Sequence, residues 1–311
     1  MSPLGQAIQD YLALRRSLGF KLRDAGICLA KFDAFMQTRG AVHITTQLAL
    51  EWAQHSPSAQ PSTWAQRLGY VRGFARHHVA SDPQTEVPPP SLLPFRPRRA
   101  RPYLYSDQEI VRLLECALEL PSSGGLRPWT YHCLLGLLSV AGLRIGEAIR
   151  LNVEDVNLQE GVLSIHGTKF GKSRLVPIHP STQQVLAQYR ARRQRFLTGR
   201  SASSCFFITS RGNRLDGGDI HRTFYQLSRR IGLRGATASH GPRLHDFRHR
   251  FAVQTMLHWY RSGEDVERRL PVLSTYLGHV HVADTYWYLS ACPELMGQAV
   301  ARLEQRWEER P

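Results

Sequence analysis

The chain has 311 residues, enough for two ordinary domains with ample core, and 42% of them are hydrophobic, as in a soluble globular protein. No apolar run is long enough to cross a bilayer, so a membrane protein is excluded from the expectations. A formal charge of +15 attracts polyanions, and nucleic acid is the expected partner.

Residues 1–20 read as an amphipathic helix without the basic start, apolar core and small-residue cleavage site of a secretory signal. The cysteines Cys28, Cys116, Cys133, Cys205 and Cys292 are scattered and form no CxxC pair. Reduced thiols in a cytoplasmic, nucleoid-associated protein are the expectation, with no zinc cluster and no metal.

The first eighty residues read as four helices. Ile8, Leu12, Leu14, Leu18 and Phe20 supply the first apolar face, and Ile27, Leu29, Phe32 and Phe35 the second. Leu48, Leu50 and Trp52 belong to a third helix, and Trp64, Leu68, Val71, Phe74 and Ala75 mark a fourth. Residues 1–80 are therefore expected to form a helical domain. Seven prolines between residues 81 and 104 then predict an extended linker. Its basic run, Arg96, Arg98, Arg99 and Arg101, is expected to lie along DNA phosphates.

A second domain is expected over residues 105–311. Ser106 and Glu109 form a capping box ahead of a helix from Ile110 to Leu120. Another helix runs from about Trp129 to Ala141 and is ended by Gly142, and a short one follows from Arg144 to Leu151. Val162–Ile165 and Arg174–Ile178 flank Gly167 and Gly171 and predict a β-hairpin. Helices dominate the remainder. The last, from Pro293 to Trp307, carries Leu295, Met296, Val300 and Leu303 and looks amphipathic.

Several segments of this domain carry chemistry. Arg144 sits just past the helix-breaking Gly142 in an apolar stretch, where a guanidinium is costly unless used or paired, for instance with Glu147. Only four of the 40 basic residues are lysines, yet Lys169 and Lys172 share the hairpin turn. Lysine can release a proton and arginine cannot, which hints at a role for an ammonium there. His245 and Arg248 are three residues apart, on one helical face, and pair a titratable ring with a phosphate binder. His245 and His249 lack the HExxH zinc pattern. Leu277-Gly278-His279 is followed by Tyr286-Trp287-Tyr288.

Taken in order, these segments resemble the tyrosine recombinase, or phage integrase, family. That family carries an arginine in a G-L-R-x-x-E box, a hairpin lysine, H-x-x-R, L-G-H, and a tyrosine nine residues past the last histidine. Arg144, Lys169, His245, Arg248, His279 and Tyr288 match in order and spacing. The resemblance covers residues 104–295, and residues 1–80 are similar to the family's SAM-like core-binding domain in size and helicity. It implies a mainly α, two-domain DNA-breaking-rejoining fold, with a helical core-binding domain and a mixed α+β catalytic domain carrying a small β-hairpin or sheet. It also implies site-specific recombination through a 3′-phosphotyrosyl intermediate, with no cofactor. The partners implied are double-stranded DNA bearing a specific recombination site, three further copies in a homotetramer, and partner recombinases. The T-Y-W-Y-L ending resembles recombinases of transposons and other mobile elements. Lys172 and Arg174 are taken as DNA contacts. Tyr286 against Tyr288, and Lys172 against Lys169, stay open as alternatives, as do a type IB topoisomerase and an idle DNA-binding accessory protein.

Overall fold

The computed structural model describes residues 2–93, 101–167 and 173–308. The chain divides into two units, residues 1–100 and 101–311.

The first unit is built from α1 (Pro3–Ser17), α2 (Arg23–Thr38), α3 (Thr46–Gln54) and α4 (Pro61–His78). Ser2 caps α1 and Thr45 caps α3, each accepting from a backbone amide of its first turn. Leu4, Ile8 and Leu12, four residues apart, form the buried stripe of α1. Leu14, Leu18 and Phe20 are exposed instead, because Leu14 lies about 200° round the helix from Leu12. Leu29, Phe32, Met36, Trp52, Leu68, Val71 and Phe74 complete the core.

The proline-rich segment expected as an extended linker is tethered to this unit at its start. Glu86 takes the Thr46 amide on its carboxylate at 2.7 Å, and its own amide donates to Ile44 O at 2.8 Å. Arg72 donates to the carbonyls of Pro88 and Pro89 at 2.7 and 2.8 Å. Proline lacks a donor but keeps its acceptor, so an arginine can tether a polyproline run. Val87 and Leu93 pack on the helical core.

The second unit contains α5 (Asp107–Leu118), α6 (Leu126–Ala141), α7 (Ile145–Ala148), β1 (Val156–Asn157), β2 (Val162–Ile165), β3 (Arg174–Pro177), α8 (Pro180–Leu197), α9 (Gly217–Arg230), α10 (His245–Arg261), α11 (Val266–Leu277), α12 (Ala283–Ala291) and α13 (Pro293–Glu308). The Ser106–Glu109 capping box is formed. The sheet is antiparallel, ordered β1-β2-β3, with Leu163 opposite both Val156 and Val176. All three of these residues are buried, so one face of the small sheet joins the core of α5, α6, α8 and α9. A second apolar cluster joins α10, α11, α12 and the start of α13.

Two glycines fix the turns that matter below. Gly142 ends α6 at φ +56°, and a Cβ there would meet the Phe251 ring at 2.5 Å. Gly278 ends α11 at φ +68°, and a Cβ there would meet the Arg174 guanidinium at 2.7 Å. Both the left-handed backbone and the close approach require glycine.

Candidate active site

The last carbonyls of α11 organise the site. A helix C-terminus has carbonyls without intrahelical partners and carries partial negative charge, so cations gather there. Three arginines do so. Arg174 donates from Nε to Tyr276 O at 2.7 Å. Arg248 donates to Leu277 O at 2.6 Å, and Arg144 donates to Leu277 O at 3.5 Å and Gly278 O at 3.3 Å. A second bond from Arg248, to Gly142 O at 2.8 Å, ties the G-L-R turn to the same centre.

Glu147 supplies the countercharge. It is buried and accepts from Arg144 at 2.9 Å and from Arg174 at 2.9 and 3.2 Å, while its second oxygen also takes the Arg144 amide at 3.0 Å. Burial alone would push its carboxyl up. The hydrogen bonds from Arg174 and Arg144 overcome this and hold it down at about 2.

Arg248 is 1% exposed. Burial first, and the charge of Arg144, bring its guanidinium down to about 10, opposed by the Tyr288 hydroxyl with which it pairs. It remains a cation at neutral pH. Tyr288 is 3% exposed, whereas Tyr286 is 53% exposed. The pairing with Arg248 distinguishes the two tyrosines, since α12 turns one ring into the site and the other toward solvent.

Two imidazoles meet the Tyr288 ring, and a third meets one of those two. His279 stacks on it with ring centroids 5.9 Å apart and a 21° interplanar angle. Its Nδ1 lies 2.8 Å from the Thr285 hydroxyl. A neutral ring that accepts at Nδ1 carries its proton on Nε2, where it can donate to an anion. Burial, then Arg248 and Arg144, lower its pKa to about 4. His249 meets the Tyr288 ring edge-on at 5.2 Å, and His245 meets His249 at 4.8 Å. His245 is exposed at the surface but backed by protein, and desolvation followed by the charge of Arg248 lowers its pKa.

The structure thus brings Arg144, His245, Arg248, His279 and Tyr288 into one cluster. Lys169 and Lys172 lie outside the described residues, as do Arg96, Arg98 and Arg99. Arg101 is exposed. Arg174 departs from its expectation as a DNA contact. Its side chain is 10% exposed and its guanidinium is turned inward onto Glu147 and Tyr276 O. A strand-end arginine in a basic protein reads as a surface charge, and nothing in its neighbours names its buried partner. Thr285, fully buried, was also missed, although its place six residues after His279 and three before Tyr288 puts it between the two. Among the described residues no cluster of three or more His, Cys, Asp or Glu side chains is arranged to hold a metal ion.

Residues 104–294 match the profile of the phage integrase family. The chain belongs to this family. A putative integrase/recombinase of Sinorhizobium fredii, y4rB, is 60% identical over the full length of both chains. The tyrosine recombinase XerD of Pseudomonas aeruginosa is 29% identical over 92% of each chain. The fold is shared with the Tn1549 transposon integrase solved with transposon right end DNA, at TM-score 0.67 and 13% identity, covering 98% of this chain and 99% of that one. It is shared too with a lambda integrase dimer bound to a core site, at TM-score 0.62 and 16% identity, covering 92% and 76%. The mostly helical chain with its small three-stranded antiparallel sheet agrees with the mainly α fold expected.

Proposed function

We propose that this chain is a site-specific tyrosine recombinase that cuts and rejoins double-stranded DNA, with Tyr288 as nucleophile. The observation that carries this reading is the pairing of the Tyr288 hydroxyl with Arg248, whose guanidinium shares the Leu277 carbonyl with Arg144. Two adjacent guanidiniums with donors to spare suit the non-bridging oxygens of an attacked phosphate.

The reaction follows from these groups. The Tyr288 oxygen attacks phosphorus, and a 3′-phosphotyrosyl bond forms as the P–O5′ bond breaks. The phenolic proton passes to His245. Lys169 gives a proton to the departing 5′-oxygen, which leaves as a hydroxyl. Arg144 and Arg248 bind the charge that grows on the non-bridging oxygens, and His279 donates to one of them through Nε2. The covalent bond stores the energy of the broken one, so religation by another 5′-hydroxyl needs no nucleotide cofactor.

The working assembly is a homotetramer on two DNA segments, with partner recombinases able to join it. Met296, Val300, Leu303 and Trp307 form an exposed stripe along α13 that suits docking on a neighbouring copy. The high net charge suits a protein held on cytoplasmic, nucleoid DNA. Among the described residues no helix is long and apolar enough to cross a membrane. The relatives of integrase and transposon-integrase type support a mobile-element role.

The test is a set of nicked duplexes tiling the DNA that flanks the gene, each able to lose a short 5′ fragment after cleavage. Wild-type protein should form an SDS-resistant DNA adduct on a particular duplex, and digestion should yield a phosphotyrosyl peptide containing residue 288. Relaxation of supercoiled plasmid of any sequence, without preference for a site, would point to a topoisomerase instead.

A further inference from the structure

His249 stands at the centre of the site, yet the chemistry above does not use it. It follows Arg248 on α10 and is buried. Its ring meets His245 at 4.8 Å and 89° on one side and Tyr288 at 5.2 Å and 69° on the other. His279 stacks on Tyr288 as well, so the nucleophile's ring touches two imidazoles. The Nδ1 atom of His249 is enclosed and has no hydrogen-bond partner among the described residues.

An enclosed polar atom without a partner destabilises the arrangement that encloses it. A phenylalanine would offer a similar flat shape to Tyr288 without that penalty. Tyr288 and Arg248 are also buried against each other, so a phosphate reaches Arg248 only after this packing opens. The orphaned nitrogen therefore sits in the arrangement that has to yield when DNA is engaged.

We propose that His249 is a positioning residue for the nucleophile, seating the Tyr288 ring by its shape while its unpaired Nδ1 keeps that buried seat from becoming too stable to leave. The claim rests on Tyr288 being the nucleophile. It assigns His249 no contact with DNA and no proton transfer.

The experiment compares wild type, His249→Phe and His249→Asn, since asparagine keeps a polar group near the Nδ1 position. Four quantities are read: melting temperature, nitration of Tyr288 by tetranitromethane with exposed Tyr286 as internal reference, DNA affinity, and the rate of adduct formation at saturating DNA. In His249→Phe the seat is relieved of its polar penalty. The protein should melt higher, Tyr288 should nitrate several-fold more slowly relative to Tyr286, and adduct formation should slow by about ten-fold, the scale of one unmet buried polar group. DNA affinity should fall by no more than the same ten-fold, since only the phosphate at Arg248 waits on the opening. His249→Asn should lie closer to wild type in nitration and cleavage. The proposal is overturned if His249→Phe cleaves at the wild-type rate, or if it cleaves slowly while melting lower and nitrating faster, which is a plain packing defect. It is also overturned if asparagine is as slow as phenylalanine. If wild type forms no adduct with any DNA, the recombinase reading fails, and melting and nitration still decide whether His249 seats Tyr288 in this way.

Discussion

Arg174 and Glu147, 27 residues apart in sequence, lock together through two hydrogen bonds of 3.2 and 2.9 Å. The same carboxylate holds Arg144, so the orientation of that arginine is tied to the hairpin strand β3. Removing one partner of a buried pair leaves the other charge unmatched. Glu147→Ala should therefore cost about 3–5 kcal/mol in urea unfolding, and Arg174→Ala a comparable amount. Arg174→Lys should recover little, because an ammonium cannot fork onto the carboxylate and reach Tyr276 O together. None of these changes should alter the salt dependence of DNA binding through Arg174. A slope lowered by about one unit in Arg174→Ala would return that residue to the DNA surface.

Acid should weaken the fold in two stages. His249 and His279 are held near 4, below the ordinary 6.5, so the unfolded chain binds their protons more readily than the folded one. Their contribution is complete above pH 6.5 and is lost as pH falls toward 4. Glu147, lowered from 4.5 to about 2, acts in the next window. Its contribution, roughly 3 kcal/mol, is complete above pH 4.5 and is lost as pH falls toward 2. Melting temperatures measured from neutral pH down to about 3 should show both stages. His249→Phe should flatten the first, and Glu147→Gln the second. Unaltered curves in either variant would remove that group from the account.

The role proposed for Arg96, Arg98, Arg99 and Arg101 is in affinity rather than chemistry. Replacing Arg96, Arg98, Arg99 and Arg101 together with Ala should weaken binding to every DNA sequence and lower the log–log salt slope by about 3 to 4 units. Binding titrations across a salt series measure this directly, and an unchanged slope would leave the run in solvent.

The integrase-family boxes were legible because each couples an unusual residue type to a fixed spacing. An arginine after a helix-ending glycine, a histidine three before an arginine, and a tyrosine nine past a histidine each survive as local patterns. The partners were not legible, because they are made by tertiary folding. Arg174 gave no sign of Glu147, and the prolines from residue 83 hid the grip of Arg72 on Pro88 and Pro89. Strand β1 is two residues long, too short to show an alternating pattern. The buried face of α1 was drawn too far toward Phe20, since leucines on successive turns look alike until the core picks among them.

The choice between Lys169 and Lys172 is open to a chemical test. If Lys169 protonates the leaving 5′-oxygen, Lys169→Arg should bind DNA normally but cleave roughly 10²–10⁴-fold more slowly, the usual loss when a general acid is removed. Arginine binds phosphate at least as well and cannot give up its proton in a useful range. A substrate with sulfur at the 5′-bridging position should largely restore cleavage, because a thiolate leaves without a proton. Equal defects on both substrates would exclude Lys169 as the acid, and a defect confined to Lys172→Arg would move the role there.

The most direct measurement of the central claim is covalent DNA capture by two single variants, Tyr288→Phe and Tyr286→Phe, on the nicked duplex that traps the wild type. Tyr288 is buried against Arg248, and Tyr286 faces solvent two residues away. Tyr288→Phe should form no adduct while binding the duplex with nearly unchanged affinity, since one hydroxyl contributes little to a broad phosphate-binding surface. Tyr286→Phe should form the adduct at close to the wild-type rate. An adduct retained by Tyr288→Phe and lost in Tyr286→Phe would contradict the account at its centre.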